Sequence, residues 1–225
     1  MNESTAKSNS HHERNSSKKK IALGLTAASF VATVGLISPF ITMQLRSSLP
    51  YMATPRRKIL AALKEISKRK ESQSSAPNQQ FKYYDLGSGD GETVLAAAST
   101  GWKATGIELN STLWGISSLR RLFSPLSIRS RSAFIYGDIW KNSIRDADAV
   151  MIFGVKPLMP AIAEKIGNEC DPGTFVMAYR FHVPICSSEQ VNEKGEIRDG
   201  SLEADLIYDE EEMRIYQLRD KVDKR

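Results

Sequence analysis

Residues Tyr83 to Ala98 read "YYDLGSGDGETVLAAA", with Gly87, Gly89 and Gly91 at alternate positions. An apolar, aromatic run enters this stretch and an alanine-rich, helix-favouring run leaves it. It therefore reads as a strand, a tight turn and a helix. Glycines let such a turn adopt positive φ and let a ligand come close to the backbone. The spacing is Gly-x-Gly-x-Gly, not the Gly-x-Gly-x-x-Gly of dinucleotide folds. Glycine turns alone are common, so the meaning of this one depends on what surrounds it.

Strand signals fall near 81–85, 103–108, 132–136, 148–153 and 173–181, and helix signals near 91–99, 110–123 and 156–168. Two last segments, "SLEADLIYD" and "MRIYQLRD", lack a helix between them and suggest an antiparallel pair closing the sheet. This alternation predicts an α/β fold, a mostly parallel sheet with helices on both faces. Ligands of such sheets bind at the carboxyl ends of the strands. Three acids fall there. Asp85 ends the first strand, where an anion repels a pyrophosphate but suits an ammonium group. Glu108 ends the second, in "TGIELN", at the offset where a carboxylate can accept both hydroxyls of a ribose. Asp138 follows the third, in "FIYGDIW", and can accept from an adenine amino group. A ligand with an amino-acid end, a ribose and an adenine, but no phosphates, is S-adenosylmethionine.

Ahead of this region, no residue from Ile21 to Leu45 is charged, while Lys18, Lys19 and Lys20 precede the run and Arg46 follows it. As a helix it would span about 37 Å, longer than the ~30 Å hydrocarbon core of a bilayer. Its apolar residues go round the whole helix, as lipid exposure requires. We therefore expect a polar leader at 1–20 and one transmembrane anchor at 21–45. Basic residues at both ends leave its orientation open. In "PYMATPRRKILAALKEISKRK", Ile59, Leu60, Leu63 and Ile66 recur at helical spacing with lysines opposite, predicting an amphipathic helix. "ESQSSAPNQQ", residues 71–80, reads as a linker. The segment 46–80 is thus expected to precede a ligand-binding domain at 81–225.

The formal charge of +5 over 225 residues is unevenly spread: residues 1–70 carry +10 and the remaining 155 carry −5. A mildly acidic domain argues against a nucleic-acid substrate, which wants positive charge across the reading face. Two cysteines, Cys170 and Cys186, and one histidine in the domain, His182, give no reason to expect a metal site.

At these motifs the sequence resembles the seven-strand, class I methyltransferases that use S-adenosylmethionine. Within them, "PYMATP", "DLGSGDGETVLAAA", "GIELN", "GDIW" and "VMIFGVKPLM" resemble the membrane-anchored mitochondrial protein-lysine methyltransferases, over roughly residues 20–182. Known members of that family modify the c subunit of ATP synthase and the adenine nucleotide translocase. The resemblance implies that Asp85, Gly87, Ser88, Gly89 and Gly91 hold the methionine end of the donor, Glu108 the ribose and Asp138 the adenine. It places Pro50 and Tyr51 with the active unit, on the substrate side. It also implies a single-pass mitochondrial membrane protein and a lysine acceptor on the c subunit of ATP synthase or on the translocase. One departure stands out: the family's helix after the glycine turn commonly opens with a basic residue, and here Glu92 and Thr93 follow Gly91.

The fourth strand ends in "IFGVKPLM", without the Asp-Pro-Pro-Tyr or Asn-Pro-Pro-Tyr box of amide and nucleobase methyltransferases. It offers no evident base either. Glu92, Tyr51 and Tyr179 stand unranked, with Tyr83 and Tyr84 read as strand residues, and the catalytic group is left open. Two other readings fit the same turn: a methyltransferase of a lipid or quinone, and a non-catalytic assembly factor that binds the donor. The complete set of ligand acids speaks against the second.

Overall fold

The structure, a computed structural model, describes residues 24–26, 29–34, 54–73, 80–154, 156–185, 202–210 and 212–219. They belong to two compact units, Met1–Ser48 and Leu49–Arg225. In the first, residues 24–26 and 29–34 are helical. Among the described residues no helix is long and apolar enough to cross a membrane. Most of the anchor expected at 21–45 lies outside the described residues, as do the leader, Pro50 and Tyr51.

The second unit is built on a seven-stranded sheet: β1 (Lys82–Leu86), β2 (Lys103–Glu108), β3 (Ser132–Tyr136), β4 (Ala149–Ile152), β5 (Phe175–Tyr179), β6 (Ala204–Glu210) and β7 (Met213–Leu218). Its order is 3-2-1-4-5-7-6. β1 to β5 pair in parallel, and β7 runs antiparallel to both β5 and β6. The predicted strands are all present. The hairpin adds one feature that local pattern did not convey, because β7 inserts between β5 and β6 instead of adding at the edge. The chain order reverses beside β1, which opens the crevice where ligands of such sheets bind.

Helices α1 (Arg56–Gln73), α2 (Glu92–Ser99), α3 (Ser111–Leu122), α4 (Leu126–Arg129) and α5 (Met159–Glu169) cover the sheet. On one face, Ile59, Ala62, Leu63 and Ile66 of α1 and Val94 and Ala97 of α2 share a core with Tyr83, Met151, Phe175, Met177 and Ile215. On the other, Ile162, Ala163 and Ile166 of α5 pack on Ile107, Val150, Ile152, Val176 and Tyr216. β4 and β5, reading AVMI and FVMAY, are buried throughout, as strands covered on both faces must be.

Helix α1 is part of this packing. Its apolar stripe at i, i+3, i+4 and i+7 is fully buried, with Ala62 taking the place expected of the half-buried Leu60. At its C-terminal end Lys70 bonds Asp148 at 2.8 Å, and Trp102 Nε1 donates to Ser67 Oγ at 3.3 Å. Those partners lie where strands begin. The N-terminal end of α1 therefore lies where the parallel strands finish, with Lys58 Nζ 5.2 Å over the Tyr179 ring and Arg56 bonded to Glu92 at 2.9 Å. The buried Thr54, just ahead of α1, consequently belongs to the ligand-binding edge.

Candidate active site

After β1 the chain folds back over β2. Gly87 N and Ser88 N both donate to Ile107 O, at 2.9 and 3.1 Å, and Gly91 N closes the turn on Ser88 O at 2.9 Å. Gly87, Gly89 and Gly91 all have positive φ, at 86°, 56° and 82°. At Gly91 a Cβ would stand 2.5 Å from the Phe134 ring. Gly106, inside β2, matters equally: a Cβ there would stand 2.5 Å from Ser88 Oγ and 2.6 Å from Ser88 Cβ, and would push the turn away. Sequence reasoning passed over Gly106, although a glycine within a strand signals close backbone approach.

The three acids take different positions on this edge. Asp85 is only 2% exposed and accepts the Thr93 hydroxyl. Burial pushes its carboxyl up to about 7; the Thr93 bond pulls the other way, and the negative charges of Glu108 and Asp90 add to the rise. The acid expected beside the turn is thus poised near neutrality, not a standing anion. Glu108, also buried, accepts Gly89 N at 2.8 Å on Oε2 and Asn110 N at 2.7 Å on Oε1. Asn110 in turn caps α3 by accepting Thr112 N at 2.9 Å and Leu113 N at 3.2 Å. The Glu108 carboxylate is therefore fixed in orientation, with a second lone pair on each oxygen still available. Asp138 is the outlying member. Gly137 N donates to Glu108 O at 3.0 Å, which ties the end of β3 to β2, and Asp138 Oδ1 accepts Trp140 N at 3.0 Å.

The cradle fits a cationic, amino-acid-bearing ligand. Ser88 Oγ is buried without a hydrogen-bond partner among the described residues, a site a ligand can satisfy. A carboxyl near neutrality ionises readily opposite an ammonium. Among the described residues no group of three or more His, Cys, Asp or Glu could hold a metal ion.

The absence of a basic residue at the opening of α2 is compensated in space. Arg120 of α3 bonds the Asp90 carbonyl at 3.0 Å and both the Asp90 and Glu92 carboxylates. Arg56 of α1 holds the other oxygen of Glu92 at 2.9 Å and Ser99 Oγ at 3.2 Å. Partial burial alone would raise the Glu92 carboxyl, but the Arg56 and Arg120 guanidinia outweigh it and hold it below the ordinary carboxylate value. Glu92 is a paired structural acid, unsuited to act as a base.

Beyond β4 the same edge carries a different surface. Phe153, one residue past β4, and Tyr179, the last of β5, have ring centroids 5.6 Å apart. The Tyr179 hydroxyl donates to Glu212 Oε2 at 3.0 Å. Arg180 N donates to Glu212 O at 2.8 Å, and both residues have positive φ, at 70° and 72°. The Tyr179 bond first, and then the charges of Arg180 and Lys58, hold the Glu212 carboxyl below its ordinary value. Of the candidates for the base, Tyr179 stands here, while Tyr51 lies outside the described residues. Tyr83 is fully buried and pushed well above 10 by that burial. Tyr84 donates to Asp146 at 2.8 Å and is raised to about 12, chiefly by burial. Lys58, Phe153 and Glu212 went unpredicted, since each comes from a separate segment and has no motif of its own.

Residues 85–190 match the family described as the ANTKMT methyltransferase domain. The chain is 33% identical over 171 residues to an ATP synthase C-subunit lysine N-methyltransferase of Xenopus laevis, covering 74% of this chain and 70% of that one. It is 30% identical over 165 residues to an adenine nucleotide translocase lysine N-methyltransferase of Mus musculus, covering 72% and 67% respectively. In fold it is similar to an RNA methyltransferase of Salinibacter ruber in complex with S-adenosyl-L-homocysteine, at TM-score 0.57 and 20% identity, covering 77% of this chain and 98% of that one. This chain is thus a methyltransferase with S-adenosylmethionine as its methyl donor, and it belongs to the family of the ATP synthase C-subunit and adenine nucleotide translocase lysine N-methyltransferases.

Proposed function

We propose that the chain methylates the ε-amine of a lysine in a mitochondrial membrane protein of the kind its relatives are named for, the c subunit of ATP synthase or the adenine nucleotide translocase. The observation that carries this reading is one strand edge holding two features: a buried cradle for a cationic donor at β1 and β2, and a pair of aromatic rings flanked by Glu212 at β4 and β5. In the cradle, Asp85 takes the donor's ammonium. The Ser88 hydroxyl, in the space that the side-chain-free Gly87, Gly89 and Gly91 leave open, takes the rest of its methionine end, Glu108 the ribose hydroxyls and Asp138 the adenine amino group.

The donor supplies an electrophilic methyl on a sulfonium. The protein's task is to hold an amine in line with it. At pH 7 a lysine with its free pKa near 10.4 costs roughly 4.6 kcal/mol to present as neutral amine. Phe153 and Tyr179 offer π faces that first hold the ammonium and then exclude water from the neutral amine. The lost proton passes to solvent, and Glu212, whose Oε2 accepts the Tyr179 hydroxyl, places a negative charge beside these rings that favours an incoming lysine ammonium. Pro50 and Tyr51, which precede Thr54 in the chain, are the further candidates to contact the acceptor in this reading.

The uncharged run at 21–45 serves in this reading as a single-pass anchor, and it favours membrane neighbours by raising their effective concentration. The same anchor also favours the second reading, a lipid or quinone acceptor. Incubating membranes from cells lacking the protein with full-length enzyme and methyl-labelled donor separates the two. Label recovered as methyl-lysine in a membrane protein is the expected result, and label in the lipid extract would replace this reading with the second.

A further inference from the structure

Helix α3 buries a polar side and exposes an apolar one. Inward, Ser117 is fully buried, Trp114 Nε1 donates to Phe134 O at 3.2 Å, and Arg121 Nε donates to Ser132 O at 2.6 Å. Outward, Ile116, Leu119, Leu122 and Phe123 are 44, 55, 56 and 80% exposed, and Leu126 of α4 is 69% exposed. Residues three and four apart share a helix face, so Ile116, Leu119, Leu122 and Phe123 form one ridge, and Leu126 is exposed at the start of the next helix. The solvated side of an ordinary surface helix is charged.

Within the segment that carries the ridge the charge has one sign. Between Glu108 and Asp138 there is no acidic residue, but there are four arginines: Arg120, Arg121, Arg129 and Arg131. Arg120 is engaged by Asp90 and Glu92. Arg121 bonds only backbone carbonyls, those of Ser132 and Arg129. Among the described residues no carboxylate pairs with Arg121, Arg129 or Arg131. This positive patch sits in the part of the chain whose net charge is negative.

We propose that the α3–α4 ridge is a membrane-docking surface that seats its apolar side chains at the headgroup level of an anionic bilayer, with Arg129 and Arg131 on lipid phosphates. A helix bearing large apolar residues on one side, with arginines and no acidic residue in its own segment, is the chemistry of interfacial binding. A convex ridge of leucines and a phenylalanine also suits a fluid surface, which moulds itself to protruding side chains. Docking here does not require the run at 21–45 to insert. α3 starts at the Asn110 cap beside Glu108 and is about 18 Å long. Docking along it therefore lays the methyl-transfer edge beside the lipid surface, where a lysine just outside the bilayer can reach it.

The test uses the full chain with a nitroxide at position 123 (Phe123→Cys, with Cys186→Ser) and vesicles of phosphatidylcholine with or without phosphatidylglycerol. A second label at the exposed Leu206 of β6 (Leu206→Cys) is the reference. In anionic vesicles the probe at 123 should collide with oxygen and be shielded from an aqueous nickel chelate, while the probe at 206 stays open to the chelate. Arg129→Glu with Arg131→Glu should lower the docked fraction by at least tenfold, on the order of fivefold for each charge removed. Methyl transfer to a free lysine peptide should be unchanged in that variant, which shows that the fold is intact. Chelate access at 123 in anionic vesicles overturns the proposal. So does shielding that appears without lipid and grows with protein concentration, which marks a contact between copies. Shielding that needs a membrane protein in the vesicle overturns it too, in favour of protein docking. Equal shielding of the probe at 123 in neutral and anionic vesicles overturns it as well, since the arginines would then add nothing.

Discussion

The two halves of the methyl-transfer edge are built on opposite rules. At the ends of β1 and β2 everything comes from one stretch, Asp85 to Asn110, and is fixed by the backbone: Gly87, Ser88, Gly89 and Asn110 all commit their N–H groups. At the ends of β4 and β5, Lys58, Phe153, Tyr179 and Glu212 come from four segments and meet through side chains. Arg180 N and Glu212 O, in two residues of positive φ, join the end of β5 to the turn before β7. A small donor of constant shape suits a rigid cradle with a buried charge. A lysine on a protein suits a wall of side chains that can adjust. Substitutions in the first half should therefore change donor binding and stability, and substitutions in the second should change turnover of the acceptor alone.

The largest effect belongs to Asp85→Asn. Losing one partner of a buried ammonium–carboxylate pair costs about 3 kcal/mol, on the order of a hundredfold in donor Kd by calorimetry. The same variant should be more stable than the native chain without ligand. The carboxyl moves from 3.8 to about 7 on folding, because burial penalises its charged form. Its stabilising contribution is complete below pH 3.8 and is lost as pH rises to about 7, which leaves a deficit of up to roughly 4 kcal/mol above that. Asp85→Asn should remove the deficit, so its ligand-free melting temperature at pH 8 should exceed that of the native chain. A lower one would show that Asp85 supports the fold as an anion.

Gly106→Ala comes next. The new Cβ strikes Ser88, and overpacking of this kind costs about 1–3 kcal/mol. Thermal unfolding and donor titration should both register it, while at saturating donor the KM for a lysine peptide stays as it was. The pH profile is a finer probe. In the proposed donor site only ionised Asp85 would pair with the donor's ammonium, so with a pKa of about 7 the donor affinity should rise roughly eightfold from pH 6 to pH 7.5. Asp85→Asn should show no such rise. Smallest is Tyr179→Phe, which removes one hydrogen bond to Glu212, worth about 1 kcal/mol. It should lower kcat/KM for the peptide by about fivefold and leave donor Kd unchanged. A change in donor Kd would erase the division between the halves.

The same division explains what could be read in advance. Asp85, Glu108 and Asp138 were legible because strand periodicity places them at successive strand ends, and their spacing is a local property. Asn110 just ahead of a helical run carries the ordinary signal of an N-cap, and Gly106 that of a close approach. Arg120 and Arg56 could not be found this way. They replace a charge missing from the opening of α2 by reaching across from α3 and α1, and no local pattern records that. Glu212 reaches Tyr179 only because β7 inserts beside β5, a pairing between segments far apart in the chain. The stripe on α1 was visible, but not the sheet face it buries against.

Lysine methylation by this chain is tested most directly by mass spectrometry of mitochondrial membrane proteins from cells expressing the native chain or Asp85→Ala. A lysine on the c subunit of ATP synthase or on the translocase should carry methyl groups with the native chain and lose them with the variant. Identical lysine methylation in the two samples, with the native chain present and binding its donor, would contradict that function.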